Sequence, residues 1–470
     1  GALDYREKAP AAAHRDMYLD ENGEVIPNKS TLGATAVGIP GTIAGLYAVH
    51  QKFGSLPWSE LVQPAIELAQ RGIVVTERQA QSLSGSRELM IRVNHPKSLY
   101  AQPYKSGNII KNPALARTLS IIAQKGQDGF YRGEVAEKIT SLVQEKGGYI
   151  TREDLANYQA VWRKPIVFRY KDLTIISMSP PSSGGVTLAQ MFGMLKQESF
   201  DSLSGWNTPA IHASVEVARR AYADRNYYLG DPDFVAIDIQ SLTNPQYLTS
   251  RMNSFDFNRA TPSAQVSQGQ PQTLESNETT HYSIVDAQGN AVAVTTTLNG
   301  AYGSKLFSDD LGMFFNNEMD DFSAKAGVPN MFGLIGAAAN EIAPGKRMLS
   351  SMTPTIVERD GQLWAVVGTP GGSTIISAVF QTILSLREFG MGMQEAVNAP
   401  RFHHQWLPDV LVMEPNRFSE SLINSLIDMG HQVNQQQSRI IGKVDAILVL
   451  KDGTLEAGAD PRGDDTARGF

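Results

Sequence analysis

A layered fold that mixes helices with antiparallel strands around a sheet core is predicted for this chain on three observations. Apolar residues recur at helical spacing through the first 150 positions. Short β-branched runs, two of them parted only by Lys171-Asp172, begin after Val161. From Thr279 onward, further runs of that kind are joined by glycine-containing turns.

The elements follow in order. Pro40-Gly41 opens a helix over Thr42–Phe53, with Ile43, Leu46, Tyr47 and Val49 on its apolar face. A second helix, 59–70, ends at Gly72, and two more are expected at Pro113–Lys125 and 134–146, the latter stopped by Gly147-Gly148. Residues 166–170 and 173–178 read as a hairpin, and Pro180-Pro181-Ser182-Ser183-Gly184-Gly185 breaks it and leads into another helix. The Ser-, Gln-, Pro- and Asn-rich segment 254–278 lacks apolar periodicity and reads as an exposed linker. Strands are expected at 282–285, 291–298, 355–358 and 363–368, helices at 381–389 and 419–429, and a last hairpin from 446–450 through Asp452-Gly453.

Composition narrows the function. The 470 residues, 42% hydrophobic and 19% charged, describe a globular protein, and no run of 18 apolar residues suggests a membrane span. A net charge of -7 argues against a polyanion such as nucleic acid as the main partner. Without cysteine there is no disulfide, thiol catalysis or thiolate metal site, a composition compatible with an oxidising compartment. Gly1–Arg6 carries neither an initiator methionine nor a signal-peptide pattern, so a segment removed upstream is expected.

The chemistry is concentrated in a few stretches. Thr279-Thr280-His281-Tyr282-Ser283 opens a strand run, and a threonine hydroxyl becomes a useful nucleophile only with a base beside it. If the bond between Glu278 and Thr279 is cut, the new α-amine is such a base. A hairpin around 286–290 would return Thr295, Thr296, Thr297 and Asn299 alongside, although threonine is also simply a good strand former. Asn316-Asn317-Glu318-Met319-Asp320-Asp321 suits recognition of an amine or a metal, or is a solvated acidic loop. Gly371-Gly372 permits close approach of backbone N–H groups to a substrate oxygen, and is equally an ordinary turn. His403 and His404 point to opposite faces of a strand and read as structural, Gly345-Lys346-Arg347 lacks the hydroxyl of a phosphate loop, and Asn277-Glu278-Thr279 is a short glycosylation match.

Taken in order, Thr279–Ser283, Asn316–Ser323, Leu349-Ser350-Ser351-Met352-Thr353-Pro354 and Gly368-Thr369-Pro370-Gly371-Gly372-Ser373 resemble the γ-glutamyltransferases (γ-glutamyltranspeptidases). Asp4–Pro10, Gly38-Ile39-Pro40-Gly41, Ala221–Arg225 with Gly230-Asp231-Pro232, and Ala399–Phe402 extend the resemblance over the whole chain. It implies an N-terminal-nucleophile hydrolase, an α+β four-layer αββα sandwich. The precursor would be cut by itself into a large subunit, 1–278, and a small one, 279–470, that stay together as one intertwined heterodimeric fold.

By the same resemblance Thr279 is the nucleophile and the agent of cleavage after Glu278, Thr297 positions it, and Gly371 and Gly372 form the oxyanion hole. Arg6 with Ser350 and Ser351 would hold a substrate α-carboxylate, and Asn299, Glu318 and Asp321 its α-ammonium. The implied substrates are glutathione and related γ-glutamyl amides, with water, amino acids or peptides as acceptors, no metal or organic cofactor, and a periplasmic or secreted location. Family precursors carry a glycine-rich strand upstream of the position of Arg6. The stretch 325–333 resembles a bacterial lid with Phe332 where many members have tyrosine, which would remove a hydroxyl contact to Asn299. Two other readings are a glutaryl (cephalosporin) acylase of the same superfamily, whose substrate lacks the ammonium, and an uncleaved, non-catalytic homologue.

Overall fold

The computed structural model describes residues 1–195, 205–267, 279–325, 328, 330–331, 337–436 and 440–469. Its centre is a six-stranded, wholly antiparallel sheet in the spatial order Leu455–Gly458, Asp445–Val449, Gln362–Gly368, Thr355–Arg359, Leu173–Ser177, Ile166–Tyr170. The β-branched runs form these strands because alternate side chains fit a half-buried pleat. In Leu173–Ser177, Leu173 and Ile175 are fully buried while Thr174 and Ile176 face the other way.

One face of the sheet is covered by the helices Gly184–Leu195, Thr208–Tyr228, Thr374–Arg387 and Met393–Asn398, which share one apolar core with Leu173, Ile175, Val357, Ala365 and Val367. Against the other face lies the hairpin Thr280–Val285 with Ala291–Thr296, its register pairing Thr280 with Thr296 and Val285 with Ala291. The turn is fixed by Asp286, whose Oδ1 accepts from the backbone N–H groups of Gln288 and Asn290, and by Gly289 at φ 81°. The helices of the first 150 residues are built on a separate core that includes Ile122, Phe130, Ile139 and Val143, and Thr42–Phe53 among them faces the hairpin. This is the αββα layering, the hairpin serving as the second sheet layer. Between the hairpin and Thr42–Phe53 runs a groove of about 630 Å³ lined by Val49, Phe53, Trp162, Val292 and Ile356 among others.

Several boundaries differ from those read in the sequence. The helix expected at 381–389 begins at Thr374, and the 21-residue helix Thr208–Tyr228 was not anticipated at all. Both are buried on nearly every side, so neither shows the polar stripe that marks an amphipathic helix. The supposed linker is no exposed tether in its first half: Thr261, Ser263 and Val266 are buried and Ser263 Oγ accepts from Arg219. Its remainder, 268–278, lies outside the described residues. No described helix is long and apolar enough to cross a membrane.

Candidate active site

The hairpin register, continued one step, sets Thr279 opposite Thr297. The Thr279 hydroxyl lies 3.4 Å from Thr297 Oγ1, which accepts the backbone N–H of Asn299 at 2.7 Å. That bond is made because the chain turns sharply at Asn299, whose φ of 73° is in the left-handed region that asparagine tolerates. Asn299 Nδ2 then donates to Asn317 O at 3.0 Å, joining the end of the hairpin to the acidic loop.

Two residues into the strand, His281 braces the hairpin on the main sheet. Ser283 Oγ donates to Asp445 O, so it accepts from His281 Nε2, and Nδ1 accepts from Thr295 Oγ1 at 2.9 Å. Burial pushes the imidazole pKa down to about 3, so the ring stays neutral. It fills the space above Gly368, where a Cβ would come within 2.1 Å of ring carbon Cε1. The strand that ends at Gly368 feeds the Thr369-Pro370-Gly371-Gly372 turn. There Gly371 and Gly372 adopt φ values of 142° and 54°, closed to most side chains, ahead of the helix Thr374–Arg387. Gly372 lines a cavity together with Thr279 and Thr297. Gly371 is not part of that lining; its carbonyl accepts from Thr374 N and Oγ1.

The other end of the cavity carries the charges. Glu318–Asp321 is a single turn of 3₁₀ helix, held by Asn316, whose Oδ1 accepts from Glu318 N and Gly38 N while its Nδ2 donates to Gly38 O. Arg6 reaches this turn: its guanidinium pairs with Asp321 and stands 2.5 Å from Glu318, with Glu7 at 3.8 Å. Thus the arginine expected to serve a carboxylate and the acids expected to serve an ammonium contact one another directly. Burial works against the Arg6 charge, but Glu318, Asp321 and Glu7 more than offset it and keep the guanidinium protonated. Three acids around one cation cannot all ionise cheaply in a buried site. Burial raises Glu318 well above its ordinary pKa and raises Asp321, with Arg6 opposing, and it raises Glu7 to about 7.

Ser350 and Ser351 line the same cavity, of about 30 Å³, with Arg6, Asn299 and Asp321. Glu318 stands behind Arg6, fully buried and outside the lining. Glu278 and Phe332 lie outside the described residues; the loop contact that Asn299 makes is with Met331 sulfur, 3.5 Å from Nδ2. Asn330 Nδ2 also reaches Asp321 Oδ1 at 3.1 Å. Arg225, Asn330 and Asn340 are among the lining residues that escaped the sequence-based assignment of the site, and Asn340 ties Asp321 O to Leu349 N. Arg225 lay inside a recognised stretch, Ala221–Arg225, but nothing local distinguishes it from the other arginines of its helix. The histidine pair is structural, His403 bonding Ser377 and Gln405 while His404 bonds Asp409.

The model of the family described as gamma-glutamyltranspeptidase matches residues 1–470. The chain belongs to this family. A relative named glutathione hydrolase proenzyme, from Escherichia coli strain K12, is 44% identical over all of this chain and 81% of its own length. Among solved structures of the same fold, a cephalosporin acylase from Bacillus halodurans superposes with a TM-score of 0.84 at 22% identity, covering 100% of this chain and 85% of its own. The Helicobacter pylori gamma-glutamyltranspeptidase matches 56% of this chain and 77% of its own at 40% identity, with a TM-score of 0.55. Family membership joins the separate features of the cavity, a threonine at one end and paired opposite charges at the other, in one known framework.

Proposed function

We propose that this family member is a γ-glutamyl-transferring enzyme, a glutathione hydrolase. Its substrates are glutathione and related γ-glutamyl amides, and it acts through a γ-glutamyl ester on Thr279. The observation that carries the reading is one cavity lined by Thr279, Thr297 and Gly372 together with the charge set of Arg6 and Asp321, with Glu318 behind Arg6. A γ-glutamyl group ends in a carboxylate and an ammonium on one carbon, and that set is its complement. Arg6 is already paired with Asp321 and Glu318, so entry of such a group is an exchange of partners. The ligand's carboxylate takes Arg6 with Ser350 and Ser351, and its ammonium takes the carboxylates of Asp321 and Glu318 with Asn299.

Cleavage of the bond between Glu278 and Thr279 gives the subunits 1–278 and 279–470 and frees the α-amine of Thr279, whose ordinary pKa near 8 suits a base at neutral pH. The hydroxyl attacks the γ-carbonyl as the amine takes its proton, and backbone N–H groups at Gly371-Gly372 stabilise the oxyanion. The proton passes to the leaving amine, an ester remains on Thr279, and water or an amino acid or peptide amine resolves it. Loss of one oxyanion donor in comparable sites costs roughly 3 kcal/mol of barrier. The absence of cysteine accords with a periplasmic or secreted enzyme.

The test is processing and activity together. Purified protein should run as two fragments, the smaller with Thr279 as its first residue, and should release p-nitroaniline from γ-glutamyl-p-nitroanilide. Thr279→Ala should remain one chain and lose activity by at least about a thousandfold. An intact chain that still turns over the anilide would refute the mechanism.

A further inference from the structure

The cavity holds a second guanidinium, that of Arg225, which the reading above leaves unused. Arg225 is 3% exposed on the helix Thr208–Tyr228 and lines the cavity beside Ser350, Ser351 and Gly372. Each of its nitrogens is committed. Nη2 donates to Ser351 Oγ at 2.9 Å, Nε to Ser183 Oγ at 2.9 Å and Nη1 to Asn226 Oδ1 at 2.9 Å. Ser183 in turn donates from its hydroxyl to Ser350 O at 2.7 Å, and from its backbone N–H to the same oxygen at 2.8 Å. One planar fork therefore fixes both serines, Ser351 directly and Ser350 through Ser183.

We propose that Arg225 is a positioning and specificity-determining residue for the carboxylate end of the substrate. By occupying an acceptor direction of Ser351 Oγ it aims that hydroxyl into the cavity as a donor, and through Ser183 it clamps the Ser350 backbone. Ser350 Oγ itself accepts from Met352 N and donates to Ser182 Oγ at 3.2 Å until a ligand takes its place. A hydroxyl whose oxygen already accepts a charged N–H has its proton left for a further acceptor, and the acceptor that suits a site with two guanidinium groups is a carboxylate. Arg6 is shared between the two ends of the ligand, being paired with Asp321 and Glu318, whereas Arg225 acts on the serine side. A lysine at this position keeps the charge but presents its donors from one nitrogen on a flexible stem, so it does not reproduce the fixed fork that spans the two hydroxyls.

This inference rests on the γ-glutamyl reading, and the experiment separates the two. Three anilides are compared in wild type and Arg225→Lys: γ-glutamyl, 4-aminobutanoyl, which lacks the α-carboxylate, and glutaryl, which lacks the α-ammonium. Arg225→Lys should lower kcat/KM on the γ-glutamyl anilide by about 10- to 100-fold, mainly through KM, as expected for a hydrogen-bond set to a charged group. It should leave the 4-aminobutanoyl anilide within about threefold of wild type, so that discrimination for the α-carboxylate falls by most of that factor. The glutaryl anilide, which keeps the carboxylate, should lose as much as the γ-glutamyl one. A uniform loss on all three substrates, or none, would overturn the proposal, because a merely structural arginine does not read the carboxylate. If Arg225→Lys yields no folded protein, Ser183→Ala removes one arm of the same clamp and decides by the same comparison. A wild type inactive on every γ-glutamyl amide would instead sink the functional reading, and this inference with it.

Discussion

The long helix Thr208–Tyr228 bridges two buried arginine clusters that differ in what they leave unfinished. Toward its middle, Glu216 is fully satisfied: Oε1 accepts from Arg219 Nε at 3.2 Å and from Thr261 N at 3.1 Å, and Oε2 from Arg220 Nη1 at 2.6 Å. About 13 Å further along, taking nine residues at 1.5 Å each, Arg225 enters the cavity where Arg6 faces Glu318, Asp321 and Glu7. There neither Glu318 oxygen accepts a hydrogen bond of good geometry, although Arg6 lies 2.5 Å away. Burial opposes the Glu216 charge, but Arg219 and Arg220 outweigh it and hold its pKa below the ordinary value, whereas burial prevails at Glu318 and lifts it. A closed ion cluster holds the fold; one with surplus acid and open acceptors has the features that the proposed binding of a substrate ammonium requires.

The largest effect that separates them is on stability. Glu216→Ala leaves the buried guanidinium groups of Arg219 and Arg220 without their shared carboxylate, which should cost about 3–5 kcal/mol. The cost is measured by urea unfolding in the Thr279→Ala background, where the chain is expected to stay whole and unfolding to be unimolecular. In otherwise wild-type protein that still folds, KM for the γ-glutamyl anilide should change by less than about twofold. A large KM change would mean that the two clusters are one.

The reciprocal change is Asp321→Asn. It removes a partner of Arg6 and the proposed contact of the substrate ammonium, and should lower kcat/KM on the γ-glutamyl anilide about 100-fold, near 2.7 kcal/mol. Stability should hold or rise, because the site sheds surplus acid. Equal losses on the glutaryl and γ-glutamyl anilides would break the assignment of Asp321 to the ammonium.

What could be read from sequence follows from where the physical signal is local. The hairpin that carries Thr279 is legible because β-branched alternation and an Asp-Ala-Gln-Gly-Asn turn act over a dozen neighbouring residues. The acidity of Glu318–Asp321 is equally plain, but its meaning depends on Arg6, more than 300 positions earlier, and on Asn316 bonding Gly38. No spacing rule connects such pairs, and only the assembled sheet and the ordered family blocks do. The helix Thr208–Tyr228 is hard to read for the opposite reason. Its charges, Glu216, Arg219, Arg220, Asp224 and Arg225, all turn inward, so the pattern that marks a surface helix is missing. The same burial hid Arg225, which in sequence is one arginine among three.

The smallest effect is a slope in pH, and it also distinguishes the clusters. His404 sits by the closed one, its Nε2 donating to Asp409 Oδ1 at 3.1 Å and its Nδ1 accepting from Trp406 N at 3.2 Å. A second proton would set Nδ1–H against Trp406 N–H, and burial together with Arg219 depresses the pKa to about 4. The unfolded chain titrates this ring near 6.5, so between roughly pH 6.5 and 4 the unfolded state binds the extra proton and stability falls with acidification. By about pH 5.5 the loss should reach about 1.4 kcal/mol relative to neutral pH. The surplus acids act with the opposite sign: Glu7, raised to about 7, keeps its proton in the folded state after the unfolded chain has released it, so acidification through that window stabilises. Gross stability curves therefore partly cancel, and the measurement is a difference. His404→Gln keeps a donor and an acceptor but does not titrate. Urea unfolding of the variant and its parent at pH 7.5 and 5.5 should show the parent losing about 1.4 kcal/mol more on acidification. Parallel pH dependences would show that His404 binds its proton equally in the folded and unfolded states, and that the closed cluster is not the acid-sensitive one.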